Sequence, residues 1–153
     1  MTDLRRLETL SRDEALSLAS SVSLGRVVFT HLALPAVRPV PHLVDGPRII
    51  IRAELGSAIT AAVGADGGTV VAYEADAIDP AEYLGWSVVV VGRASPLTDE
   101  AECARFREKL LPWATGAKDD IIAIRADMVE GFRMVCGTAP AGEAAGAGGD
   151  APA

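Results

Sequence analysis

Arg38, Pro39, Val40 and His42 stand together in the stretch AVRPVPHLV, residues 36–44. If this is a strand, period-two alternation puts Arg38, Val40, His42 and Val44 on one face. Val37, Pro39, Pro41 and Leu43 take the other. Arg38 and His42 then point the same way, about 13 Å apart at roughly 3.3 Å per residue. A proline cannot donate to a sheet ladder, so the strand is an edge or is poorly paired on one side, where a ligand can lie. An exposed edge strand whose prolines guard against aggregation explains the same residues.

A second group, Arg52, Gly56 and Ser57, surrounds a strand-to-helix turn in RIIIRAELGSAI. Free N–H groups at a helix start beside an arginine make an anion site. The alternative is an ordinary N-cap with a solvated arginine. Trp86 opens the apolar stretch GWSVVVVGR, where it could stack on a planar ligand or cover the core or an interface. The carboxylates show no pairing suited to acid–base work. There is no His/Cys metal spacing, GxSxG, P-loop or GxGxxG motif.

These residues need a frame. Ser11-Arg12-Asp13-Glu14 fits a capping box, with a helix to about Ser20. Strands are expected over 24–31, 36–44, 48–53, 69–75, 86–93, 120–125 and 129–135, with a turn at Leu34-Pro35 and a hairpin turn at Asp45-Gly46-Pro47. Ser57 caps a helix reading AITAAV. Thr98-Asp99-Glu100 starts another helix, to about Leu111, with acids first and Arg105, Arg107 and Lys109 later, as the macrodipole prefers. Short strands with few helices point to a small antiparallel barrel rather than a doubly wound parallel sheet. Residues 1–10 read as an N-terminal extension and 11–136 as the domain. Residues 137–153, rich in Gly, Ala and Pro, have no large apolar side chain and read as a disordered tail.

Composition narrows the class. Of 153 residues half are hydrophobic, which suits one domain with a real core. The net charge of −7 argues against nucleic acid as a partner. No apolar run reaches the roughly 18–20 residues that span a bilayer, and the charged N-terminus has no signal-like apolar region. Cys103 and Cys136, far apart, read as reduced thiols of a cytoplasmic protein.

Taken in order, LGRVVFT, AVRPVPHLVDGPRIIIRAELGSAI, VVAYEADAID and GWSVVVVGRASPLTD resemble the pyridoxamine-phosphate-oxidase-like flavin-binding split barrels. The similarity runs from about Ser11 to Val135. It is nearest in character to small actinobacterial and nitroimidazole-reductase-like members. It implies a mainly β (α+β) fold, a six- to seven-stranded antiparallel Greek-key split barrel with a few short helices. It also implies a homodimer with a flavin in each of two clefts between subunits, acting on a small-molecule substrate. By this resemblance AVRPVPHLV lies along the isoalloxazine ring, with main chain from Arg38 to Val40 at its polar edge. Arg52 and Ser57, beside Gly56, fall where the phosphate is held, and Trp86 falls on a strand approaching the flavin. His42 would narrow the substrate side or ligate haem. Family members commonly carry a lysine just after the Gly-Ser turn; here Ala58 and Ile59 stand there. The resemblance makes FMN the expected cofactor; the missing lysine opens deazaflavin (F420), haem or none as alternatives. The expected activity is an FMN-dependent oxidoreductase of small planar electrophiles, against a non-catalytic flavin- or haem-binding protein.

Overall fold

The computed structural model describes residues 4–54, 57–64, 68–112 and 119–137. The eight strands are β1 (Arg5–Thr9), β2 (Leu24–His31), β3 (Leu34–Asp45), β4 (Arg48–Glu54), β5 (Thr69–Ile78), β6 (Gly85–Pro96), β7 (Asp119–Arg125) and β8 (Met128–Cys136). Three helices join them: α1 (Arg12–Ser20), α2 (Ala58–Val63) and α3 (Glu100–Lys109). All pairings are antiparallel, in the order β1-β8-β6-β5-β2-β3-β4-β7, and β6 also pairs with β7. That last pairing closes six strands into a barrel and leaves β8 and β1 as an outer flap.

The branch point lies on β6. Its first half pairs with β8 as far as Val91 and Met128, and its end pairs with β7 from Ala94 and Ile124. Gly92 sits between the two registers. A Cβ there would overlap the Arg125 carbonyl, so only glycine lets the β7–β8 connection cross so closely.

The core follows the alternation of the strands. Val27, Phe29, Val40, Ile49, Ile51, Tyr73, Val88, Val90, Ile122 and Ile124 fill the barrel. Ile50 and Ile121 point outward and are buried under α3 by Cys103, Phe106 and Leu110. This explains the unbroken apolar run RIIIRA: β4 is covered on both faces. Cys103 and Cys136 form no disulfide, and Cys103 is buried.

Two local expectations shift. Leu34-Pro35 is not the turn but the start of β3; the turn is Leu32-Ala33, both at positive φ (51° and 63°). Residues 5–9, expected to be outside the domain, pair with β8 as β1. The helix starts match the sequence. At α1 the Glu14 N–H donates to Ser11 Oγ and the Ser11 N–H to Glu14 Oε1, each at 3.2 Å.

Candidate functional site

The β3–β4 ladder stops early. It runs from Asp45 and Arg48 to His42 and Ile51 and no further. The cause lies in β3. The His42 N–H bonds the Ser23 carbonyl, on the β2 side, at 3.0 Å. Alternation along an antiparallel strand then turns positions 41 and 39 toward β4. Both are prolines, so the next two donors of the ladder are missing. Strand β4 peels away, and no strand among the described residues pairs with that side of β3 over residues 34–41.

The gap is a cleft of about 380 Å³. Val27, Val40, Ile51 and Ile59 give it apolar walls, and Arg38, Pro39, Arg52, Glu54, Ser57 and Asp119 line it with polar groups and main chain. Of the eight residues singled out from the sequence, Arg38, Pro39, Val40, Arg52 and Ser57 meet here. Arg38 is exposed, and Nη1 donates to the Val37 carbonyl at 2.9 Å. It makes no ion pair among the described residues. The Ser57 hydroxyl caps α2, accepting from the Thr60 N–H at 3.5 Å. Helix α2 has only six residues, too short for much of a macrodipole.

Arg52 is placed differently from a solvated or freely available cation. Its Nε donates to Asp119 Oδ2, and Nη1 donates to the Leu110 carbonyl at 2.8 Å. The side chains of Arg52 and Asp119 are 14% and 8% exposed, so the pair is nearly closed to water. Arg107 approaches the same aspartate, with Nη2 donating to its main-chain carbonyl at 3.0 Å.

His42 faces away from the cleft. It is 2% exposed, with Nε2 2.7 Å from the Ala19 carbonyl and Nδ1 2.6 Å from the Tyr73 hydroxyl. A carbonyl only accepts, so Nε2 carries a proton. Burial pushes the imidazole below its ordinary pKa, which favours the neutral ring. The Tyr73 hydroxyl lies between Nδ1 and the Val40 carbonyl, to which it donates at 2.9 Å. The sequence correctly puts His42 on the Val40 face, but that face is the interior. Tyr73 itself is pressed against Gly25, where any Cβ would overlap its ring. Burial raises the phenol's pKa, so it stays protonated.

Trp86 lies elsewhere, on β6, in a separate apolar groove of about 270 Å³ with Leu7, Ile78, Tyr83, Phe132 and Met134. Gly56 is outside the described residues, as are the tail residues from 138 onward. Asp119, Glu54 and Tyr73 were not singled out from the sequence. A doubled acid, Asp119-Asp120, opening a strand was the only local sign of the first.

Comparison with known proteins places this geometry in a family. An uncharacterised protein of Mycobacterium tuberculosis is 49% identical over 133 residues, covering 86% of this chain and 88% of that one. The structure of an FAD-binding protein from Mycobacterium smegmatis superposes with a TM-score of 0.67 at 31% identity, covering 82% of this chain and 95% of that one. An FAD- and haem-binding protein of the same organism shares the fold, with a TM-score of 0.66 at 20% identity, over 94% of this chain and 80% of its own. Residues 11–136, from the α1 capping box to the end of β8, match the family described as pyridoxamine 5′-phosphate oxidase, and to that family the chain belongs.

Proposed function

We propose that the cleft between β3 and β4 binds the isoalloxazine ring of a flavin, and that the chain is an oxidoreductase reducing a small planar electrophile. The observation that carries this reading is the ladder interrupted by Pro39 and Pro41 beside the exposed Arg38. The apolar walls suit a flat ring, and about 380 Å³ lies in the usual range for small-molecule sites, about 300–1,000 Å³. Pro39 keeps a carbonyl that can accept from a ring N–H, and Arg38 can donate to ring oxygens. A bound flavin would supply the hydride and electron chemistry; these residues would hold and orient it. FMN is the expected form. FAD is the second reading, favoured by the 31%-identical relative from M. smegmatis.

The same reading includes a homodimer. Around Trp86 the chain exposes Leu7 (60%), Ile78 (48%), Tyr83 (64%) and Phe132 (36%). Val89 and Val91 are half-buried on the outer face of β6. An interface of roughly 2,000 Å² or more in total is expected. No helix among the described residues is long and apolar enough to cross a membrane. The absorbance spectrum of freshly purified protein tests the cofactor assignment. Flavin bands in the blue support it. A strong Soret band, or a featureless spectrum with no change on adding FMN or FAD, counts against it.

A further inference from the structure

Asp119 has an unusual position for a carboxylate in a cleft read as a flavin site. It opens β7, is 8% exposed, and lines the cleft wall with Arg52 and Ser57. Arg52 Nε holds Oδ2, and Arg107 Nε lies 3.5 Å from Oδ1. Arg107 Nη2 also grips the Asp119 main-chain carbonyl, and Arg52 Nη1 is spent on the Leu110 carbonyl. Arginine makes the same charge-assisted hydrogen bonds to a carboxylate as to a phosphate. Here the anion belongs to the chain. The Ser57 hydroxyl, which caps α2, lines the same cleft, and position 58 is alanine.

We propose that Asp119 is a specificity-determining residue: an internal anion engaging Arg52, the arginine of the cleft wall that a ligand phosphate would otherwise take. The cleft then selects its ligand by the ring and not by a terminal phosphate. The proposal rests on the flavin reading. Two effects act together. The donors of Arg52 are already taken by Asp119 and the Leu110 carbonyl, so a phosphate gains little from it. The carboxylate also repels an incoming dianion, and such a repulsive element is a common source of specificity. Arg38, outside this cluster, remains available to ring oxygens.

Titration of the wild type with FMN and riboflavin, followed by flavin fluorescence, reads the selectivity directly. The expected dissociation constants agree within about threefold, and FMN binding depends weakly on salt. In Asp119→Asn the charge of Arg52 is released toward the cleft: FMN should tighten about tenfold or more, riboflavin should stay put, and the FMN constant should become salt-dependent. A second readout needs no flavin. Millimolar inorganic phosphate should raise the melting temperature of Asp119→Asn but not of the wild type, since a ligand of the native state stabilises it. A wild type that prefers FMN by tenfold overturns the proposal, as does an Asp119→Asn protein that gains nothing from phosphate. If the wild type binds neither flavin, the flavin reading falls, while the phosphate arm still decides the role of Asp119. If Asp119→Asn does not fold, the wild-type comparison of FMN with riboflavin decides alone.

Discussion

His42 and Tyr73 meet edge to face, ring centroids 5.0 Å apart and planes at 73°, with Nδ1 2.6 Å from the phenol oxygen. The contact ties three elements together. Ala19 belongs to the last turn of α1, whose carbonyls have no intrahelical partner, and the imidazole supplies one a donor. Tyr73 brings in β5, and His42 itself sits where β3 leaves β2 and joins β4.

Tyr73→Phe keeps the ring but removes the hydroxyl that bridges Nδ1 and the Val40 carbonyl, leaving two buried polar groups without it. It should cost about 1–3 kcal/mol in denaturant unfolding. The native imidazole is held below the ordinary histidine value of about 6.5, so the unfolded chain takes up the proton first. This contribution to stability is complete above about pH 6.5 and is lost as pH falls toward the native value. Melting curves from pH 8 to 5 should show the loss in the wild type, and His42→Gln should flatten it. An unchanged acid slope would contradict the assignment.

Glu74 works in the opposite direction. Burial and the neighbouring Asp76 raise its carboxyl to about 7, despite Arg26 at 3.5 Å. A group whose native pKa is raised stabilises most below its unfolded value and loses that benefit as pH rises through the native one. Glu74→Gln should therefore raise the melting temperature at pH 8 and leave it nearly unchanged at pH 4.5. A larger gain at acid pH would contradict the sign.

Much of the barrel is legible in the chain because its signals are local. The capping box of Ser11 and Glu14, the run RIIIRA and the Asp45-Gly46-Pro47 turn each depend on neighbours in sequence, and each is found in place. Strand β1 is not legible. RRLET carries three charges and only one large apolar residue, and it is a strand because β8 offers a free edge. Periodicity shows that Arg38, Val40 and His42 share a face but not that the face turns inward at His42. The Arg52–Asp119 pair joins residues far apart in sequence, and only the β4–β7 register brings them together.

The prolines of β3 provide a test of why the cleft is open. Pro39→Val with Pro41→Val restores two donors aimed at β4. The ladder should extend past His42 and Ile51, adding about 0.5–1.5 kcal/mol per hydrogen bond. Chemical denaturation should show equal or greater stability, and FMN affinity should fall about tenfold or more as the cleft narrows. Undiminished affinity would show that the prolines do not hold the cleft open.

The central claim is that a flavin ring sits between β3 and β4. Ala58 lines that cleft, half-buried and packed at the edge of the core, so Ala58→Trp should fill the cleft. Fluorescence titration of FMN into the wild type and into Ala58→Trp is the most direct measurement. Wild-type binding below about 100 μM and at least tenfold weaker binding by the folded variant are expected. No binding by the wild type, or equal binding by both, would contradict the claim.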